Sequence, residues 1–236
     1  MQLTTILLWA TTVVALPQLS TRDDGPTAAQ KFGWKNLVQQ DNFDGTKVSS
    51  AWGIYDGPGH AGNGRRSPSA FSVKNGILTV TGTPDGTTGG MAWKKGQLYG
   101  RWETRARYTA GTSAYHPVLL LWPDKEDWPV GGEVDYSEVG DGKRQTLDFF
   151  LHYGKDNQQE HASTQLDMTQ WRNYAVEWTK DHVVGYVDGK EFFRNKNRAA
   201  VPPRSMHATI QLDWFPGSGP KGAGKMEVDW IRQYAI

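Results

Sequence analysis

Three carboxylates fall within six residues in the stretch Gly131-Gly132-Glu133-Val134-Asp135-Tyr136-Ser137-Glu138. In an extended strand successive side chains point to opposite faces, so Glu133 and Asp135 share one face and Val134 and Tyr136 the other. Glu138 has the wrong parity to join the two acids. One extra residue in a β-bulge turns it back to their side, and bulges recur beside active sites. The spacing therefore predicts a bulged strand that lines one groove with three acids. Like charges this close raise each other's pKa, so at least one holds a proton near neutral pH. A protonated carboxyl beside an ionised one is the equipment of glycoside hydrolysis. An ordinary surface strand gains little from three like charges in a row.

The same residues resemble glycoside hydrolase family 16, the endo-β-glucanase family of laminarinases and lichenases. Glu133-Val-Asp135-Tyr-Ser-Glu138 is similar to its E-x-D-x-x-E signature. The resemblance extends to Asp41-Asn-Phe-Asp-Gly45, Tyr99-Gly-Arg-Trp-Glu-Thr-Arg105, Trp128-Pro129 and His152-Tyr-Gly154. It continues through Trp171-Arg-Asn-Tyr-Ala-Val-Glu-Trp178 and Val228-Asp-Trp-Ile-Arg-Gln-Tyr234. It implies an all-β fold, a β-jelly-roll sandwich of two antiparallel sheets with a concave substrate cleft. It also implies a retaining endo-glycosidase acting on β-1,3- or mixed β-1,3/1,4-glucan. Galactan, xyloglucan and transglycosylase specificities stay open within the family. By the resemblance Glu133 is the expected nucleophile, Glu138 the general acid and then base, and Asp135 a hydrogen-bond partner of the nucleophile. His152 is expected to bond to one of these acids or to substrate. Tyr115-His116 departs from the common family pattern before Pro117. Asp229 matches the position of a carboxylate that holds a structural calcium in several relatives.

Further candidates come from local context. Trp122 and Trp128 flank the charged loop 124–127 and are candidate stacking platforms, with core packing the other reading of Trp122. Arg66, in the basic loop Gly62-Asn-Gly-Arg65-Arg66, is a candidate for a sugar hydroxyl. Gln211 and Asp213 alternate on one face of a late strand and suit a cleft floor, although edge-strand polarity also explains them. Trp214 and Trp93 are further candidate sugar contacts.

These residues need a β scaffold, and the remaining pattern supplies one. Asn75-Gly76 between Phe71–Lys74 and 77–80 is a two-residue hairpin signal. From 99 to 108 the chain alternates, with Trp102, Thr104, Ala106 and Tyr108 facing one way and Arg101, Glu103, Arg105 and Arg107 the other. Residues 117–122 form a continuous apolar run suited to a central strand buried on both sides. Further strands are predicted at 146–153, 171–179, 183–187, 191–194, 206–214 and 225–234. No segment carries a helical period over three turns.

Length and composition bound the rest. A chain of 236 residues can bury one large β core. A net charge of +1 gives no reason to expect nucleic acid or an anionic membrane as partner. The absence of cysteine rules out disulfides and thiol catalysis, and no His/Cys cluster calls for a catalytic metal. The apolar run from Leu3 to Pro17 reads as a secretory signal within residues 1–20. Residues 21–33 read as a short pro-region or unstructured segment, and 34–236 as one catalytic domain. The expectation is a secreted, extracellular monomer whose partner is a polysaccharide, β-glucan first. Two other classes remain at this stage. A lectin would need no acids, and a polysaccharide lyase would use His152 or Tyr153 as base.

Overall fold

The computed structural model describes residues 24–236. The expected signal segment lies outside the described residues, as do residues 21–23. Strands are numbered in chain order. Seven form one antiparallel sheet in the spatial order β13 (Gln158–Gln165), β12 (Thr146–Tyr153), β11 (Glu133–Glu138), β10 (Tyr115–Pro123), β17 (Met206–Trp214), β8 (Gly90–Trp93) and β2 (Trp52–Ile54). A second antiparallel sheet runs β16 (Lys190–Arg194), β15 (Val183–Val187), β14 (Arg172–Trp178), β9 (Gly100–Tyr108), β18 (Gly224–Tyr234), β6 (Ile77–Gly82) and β5 (Phe71–Lys74). Strand β1 (Leu37–Asp41) pairs with the end of β18. A small sheet of β3 (Gly57–Pro58), β4 (Arg65–Arg66) and β7 (Thr87–Thr88) carries Arg66 and the loop before it.

The alternation in β9 works as expected. Trp102, Thr104, Ala106 and Tyr108 are all fully buried between the sheets. They meet Leu119 and Leu121 of β10, Val134 and Tyr136 of β11, and Phe149 of β12 in one continuous core. Each large apolar side chain buried there contributes about 1.5–3 kcal/mol. The hairpin at Asn75-Gly76 forms with both residues at positive φ, 54° and 73°, as a type I′ turn requires.

Several elements go beyond the expected strands: the short β1, β2, β3, β4, β7 and β8, the longer β13 and an amino-terminal helix. The segment 21–33, read as unstructured, is ordered from residue 24 and includes the helix α1 (Ala28–Phe32). Thr27 caps it by accepting from Gln30 N, and Gly33 ends it in the left-handed region at φ 64°. A five-residue helix has too little length to be stable alone. Here it lies on the outer face of the eight-stranded sheet, where Ala28 N and Ala29 N donate to the Glu103 carboxylate at 2.6 and 3.1 Å. Trp34 then packs edge-on against Tyr186 and Tyr234. The longest of the unexpected strands is β13, which has no apolar face. As an edge strand it is held by backbone pairing to β12 along all eight residues.

Candidate active site

Strand β11 sits between β10 and β12, and both pairings break register inside the motif. Against β12, Asp135 pairs with Phe150 and Glu138 with Asp148, three steps on one strand facing two on the other. Against β10, Leu119 and Leu120 pair with Ser137 and Asp135, skipping Tyr136. This is the expected bulge of one extra residue. Its internal cause is visible in the core. The Tyr136 hydroxyl bonds to Thr104 Oγ1 at 2.9 Å and the Ser137 hydroxyl to Tyr108 Oη at 2.7 Å. Two successive side chains therefore point inward, and Glu138 emerges on the same side as Glu133 and Asp135. All three acids line one cavity of about 380 Å³ on the outer face of the seven-stranded sheet.

The acids sit in graded environments. Asp135 is only 3% exposed. Burial, followed by the charges of Glu138 and Asp213, pushes its carboxyl well above the usual range, and it hydrogen-bonds to Glu133. Glu133 is pushed up to about 8, by burial first and by Asp135 second. His152 and the indole of Trp128 oppose that rise. Trp128 Nε1 donates to Glu133 Oε2 at 2.6 Å. His152 faces Asp135 through Nε2 at 3.3 Å, with Nδ1 held by Asn157 Oδ1 at 2.8 Å. Two adjacent carboxyls in one dry site share a proton rather than both ionising.

A larger cavity of about 720 Å³ continues the cleft past Glu133 and away from Glu138. Trp122 and Trp128 line it with parallel rings, 6.3 Å apart and 9° between planes. Trp128 is 41% exposed, as a platform for a sugar face requires. Arg66 and Gln211 line it as well. Arg66 is braced by Asp213 Oδ1 at 2.7 Å and Gln211 Oε1 at 3.1 Å, so its charge is largely spent inside the protein. The structure thus brings Glu133, Asp135, Glu138, His152, Trp122, Trp128, Arg66 and Gln211 to one cleft.

Three candidates do not belong there. Trp214 follows Asp213 and takes the opposite face of β17, with its ring on Gly64 and Gly86, where an added Cβ would meet it at 2.9 and 2.5 Å. Trp93 is a core residue stacked on Trp52. Asp229 lies on the far sheet, paired with Arg105 Nε at 3.2 Å. Arg105 Nη1 also donates to the main-chain oxygen of Asp24 at 3.0 Å, and Asn173 Nδ2 donates to that oxygen and to the oxygen of Pro26. A carboxylate and main-chain oxygens are suitable calcium donors. The Asp229 carboxylate, which the resemblance assigns to calcium, thus already meets a guanidinium here. Sequence reasoning missed His60, in the short turn between β3 and β4, and Phe215, directly after β17; both line the cleft. It noted His116 only as a departure from pattern.

Comparison with known proteins agrees with this geometry. The sequence model for glycosyl hydrolases family 16 matches residues 63–232. The chain is 26% identical over 191 residues to endo-1,3-1,4-beta-glycanase EglC of Rhizobium meliloti, covering 72% of this chain and 40% of that protein. It is 24% identical over 168 residues to xyloglucan endotransglucosylase protein 7 of Diospyros kaki, covering 67% and 61%. The chain spans about 40% of the length of the first curated relatives it matches. Its fold matches the catalytic domain of an endo-1,3-beta-glucanase (laminarinase) from Thermotoga petrophila with a TM-score of 0.76 and 22% identity, over 85% of this chain and 97% of that one. The family match takes in the acids, the bulge and most of both sheets, and the chain belongs to the glycosyl hydrolases family 16.

Proposed function

We propose that this chain is a retaining endo-β-glucanase, secreted as a monomer, that hydrolyses β-1,3- or mixed β-1,3/1,4-glucan by double displacement. The observation that carries the reading is the bulge at Tyr136-Ser137, which turns Glu138 into the cleft that holds Glu133. In the first step Glu133 attacks the anomeric carbon while Glu138 gives its proton to the departing glycosidic oxygen. In the second, Glu138 takes a proton from water, which releases the sugar from Glu133 with configuration retained. Asp135 is the deeper carboxyl of the coupled pair. It holds the shared proton and donates it toward Glu133, and Trp128 Nε1 adds a second donor. Together they keep the attacking oxygens oriented and ionised despite burial.

The cleft has a direction. The nucleophile lies under the donor sugar and the acid beside the leaving oxygen. The Trp122–Trp128 cavity past Glu133 therefore takes the donor side of the chain, and the cavity around Glu138 the acceptor side. A lyase reading leaves the three acids without a task, and Tyr153 lines neither cavity. The test is product analysis on laminarin, barley glucan, xyloglucan and agarose, with anomers followed by proton NMR. New β reducing ends from the glucans are expected. α-Anomers as first product would overturn the mechanism. Products longer than the substrate, formed only with added acceptor, would make transfer the main reaction.

A further inference from the structure

Glu138 has a protein partner outside the acid motif. His116 lies on β10 two residues before Val118, the cross-strand neighbour of Glu138. Its Nδ1 is 3.1 Å from Glu138 Oε1. The ring is 14% exposed and is fixed on its flanks. It stacks on Phe215 at 4.1 Å between centroids and 25° between planes, and Phe215 also packs against His60 at 4.7 Å. Gly140 leaves the space on another side. A Cβ there would lie 3.1 Å from His116 Cε1 and 3.3 Å from Nε2, so the ring would have to give by a few tenths of an ångström.

The second ring nitrogen distinguishes this histidine from an ordinary buried one. His116 Nε2 is buried and has no hydrogen-bond partner. An unpaired buried donor is costly. With the ring proton on Nδ1, Nε2 is left with a lone pair rather than a stranded N–H, and the imidazole has one donor aimed at one carboxylate. His152, on the nucleophile side, uses both nitrogens, toward Asp135 and Asn157.

We propose that His116 is a positioning residue for the general acid: the Phe215–Gly140 slot holds its ring so that Nδ1–H anchors one oxygen of Glu138 and leaves the other aimed at the glycosidic oxygen. The inference rests on the assignment of Glu138 as the acid. It separates the two sides of the site, since the nucleophile is oriented by Trp128 and Asp135 and the acid by His116.

General-acid help matters for a sugar leaving group and little for one that departs unaided. The test compares kcat/KM for laminarin with kcat/KM for 2,4-dinitrophenyl β-laminaribioside, whose phenolate needs no proton. His116→Phe keeps the stacking ring and removes the donor. It is expected to lower the laminarin value about tenfold and change the aryl value less than about twofold. His116→Asn, which returns an N–H near the Nδ1 position, is expected to recover most of the loss. Thermal unfolding of each variant confirms that the fold is kept. Glu138→Gln is the reference and should show the same selectivity with a larger laminarin loss. If Glu138→Gln lowers both values equally, the assignment of the acid fails, and this inference with it. If Glu138→Gln is selective but His116→Phe lowers both equally, or neither, His116 does not position the acid.

Discussion

The two outer faces of this sandwich handle charge in opposite ways. On the cleft face, Glu133, Asp135 and Glu138 stand together, and burial plus mutual repulsion drives the first two carboxyls upward. On the other sheet most acids are paired with cations, the exception being Glu103, which accepts from the backbone N–H groups of Ala28 and Ala29. Arg101 meets Glu177 at 2.6 Å, Arg105 meets Asp229 at 3.2 Å, Arg107 meets Glu227 at 2.7 Å and Arg232 meets Asp24 at 2.9 Å. Burial opposes it, but hydrogen bonds from His182 and Arg101 hold Glu177 low, and those from Arg107 and Lys225 do the same for Glu227. The strand alternation is the same on both faces. What differs is the partner each acid finds across the strand. One face uses charge to hold the amino-terminal segment, while the other keeps charge unbalanced where chemistry needs it.

The largest contrast should come from removing acids on each face. Glu133→Gln and Glu138→Gln should each lower laminarin turnover about a thousandfold or more while leaving the melting temperature unchanged or higher. Steady-state rates and a thermal scan read both effects. Asp24→Ala should do the reverse. Asp24 accepts from Trp230 Nε1 at 2.8 Å and pairs with Arg232. Its loss leaves those groups unsatisfied and should cost about 2 kcal/mol of stability in urea unfolding, with kcat nearly intact.

A smaller effect follows from the raised carboxyls. Burial pushes the coupled Glu133–Asp135 pair up, so that it keeps one shared proton to about pH 8, and pushes Glu103 up to about 7, against 4.5 for an ordinary glutamate. Between pH 4.5 and these values the native state holds protons that the unfolded chain has lost, so stability falls as pH rises through that window. Glu177 and Glu227 have the opposite sign, giving stability above the ordinary carboxylate range that is lost as pH falls through their lowered values. Thermal scans should therefore show a decline from about pH 5 to 8. Glu133→Gln should flatten it by about 1–3 kcal/mol at the alkaline end. An unchanged slope would mean that the buried pair does not carry the proton. The smallest expected effect is that of chelation. Because Arg105 already meets the Asp229 carboxylate, EDTA and added calcium should each move the melting temperature by less than about 1 °C.

Much of the cleft was readable because strand parity is a strict constraint. The six residues 133–138 require either a bulge or a misplaced Glu138, and the central apolar run at 117–122 had to neighbour them. Parity also held a signal that was not used. If Gln211 and Asp213 face the cleft, Trp214 cannot. The amino-terminal helix was not readable because five residues carry no period, and its hydrogen-bond partner Glu103 is 75 positions away. Strand β13 was not readable because an edge strand needs no apolar face. Phe215 follows β17 with the parity of Gln211 and Asp213 and could have been found the same way, whereas His60 enters on the short turn between β3 and β4, whose course no local pattern encodes. The Arg105–Asp229 pair spans more than a hundred residues, and nothing near either residue announces it.

The central claim is that Glu133 and Glu138 face one glycosidic bond and that Glu133 forms the covalent bond. The most direct measurement is mass spectrometry of the protein after reaction with a 2,4-dinitrophenyl 2-deoxy-2-fluoro-β-laminaribioside, which slows release of the glycosyl-enzyme. This account predicts one stoichiometric adduct, located by peptide fragmentation on Glu133. An adduct on Glu138, or rapid turnover of other β-glucans with no adduct at all, would contradict it.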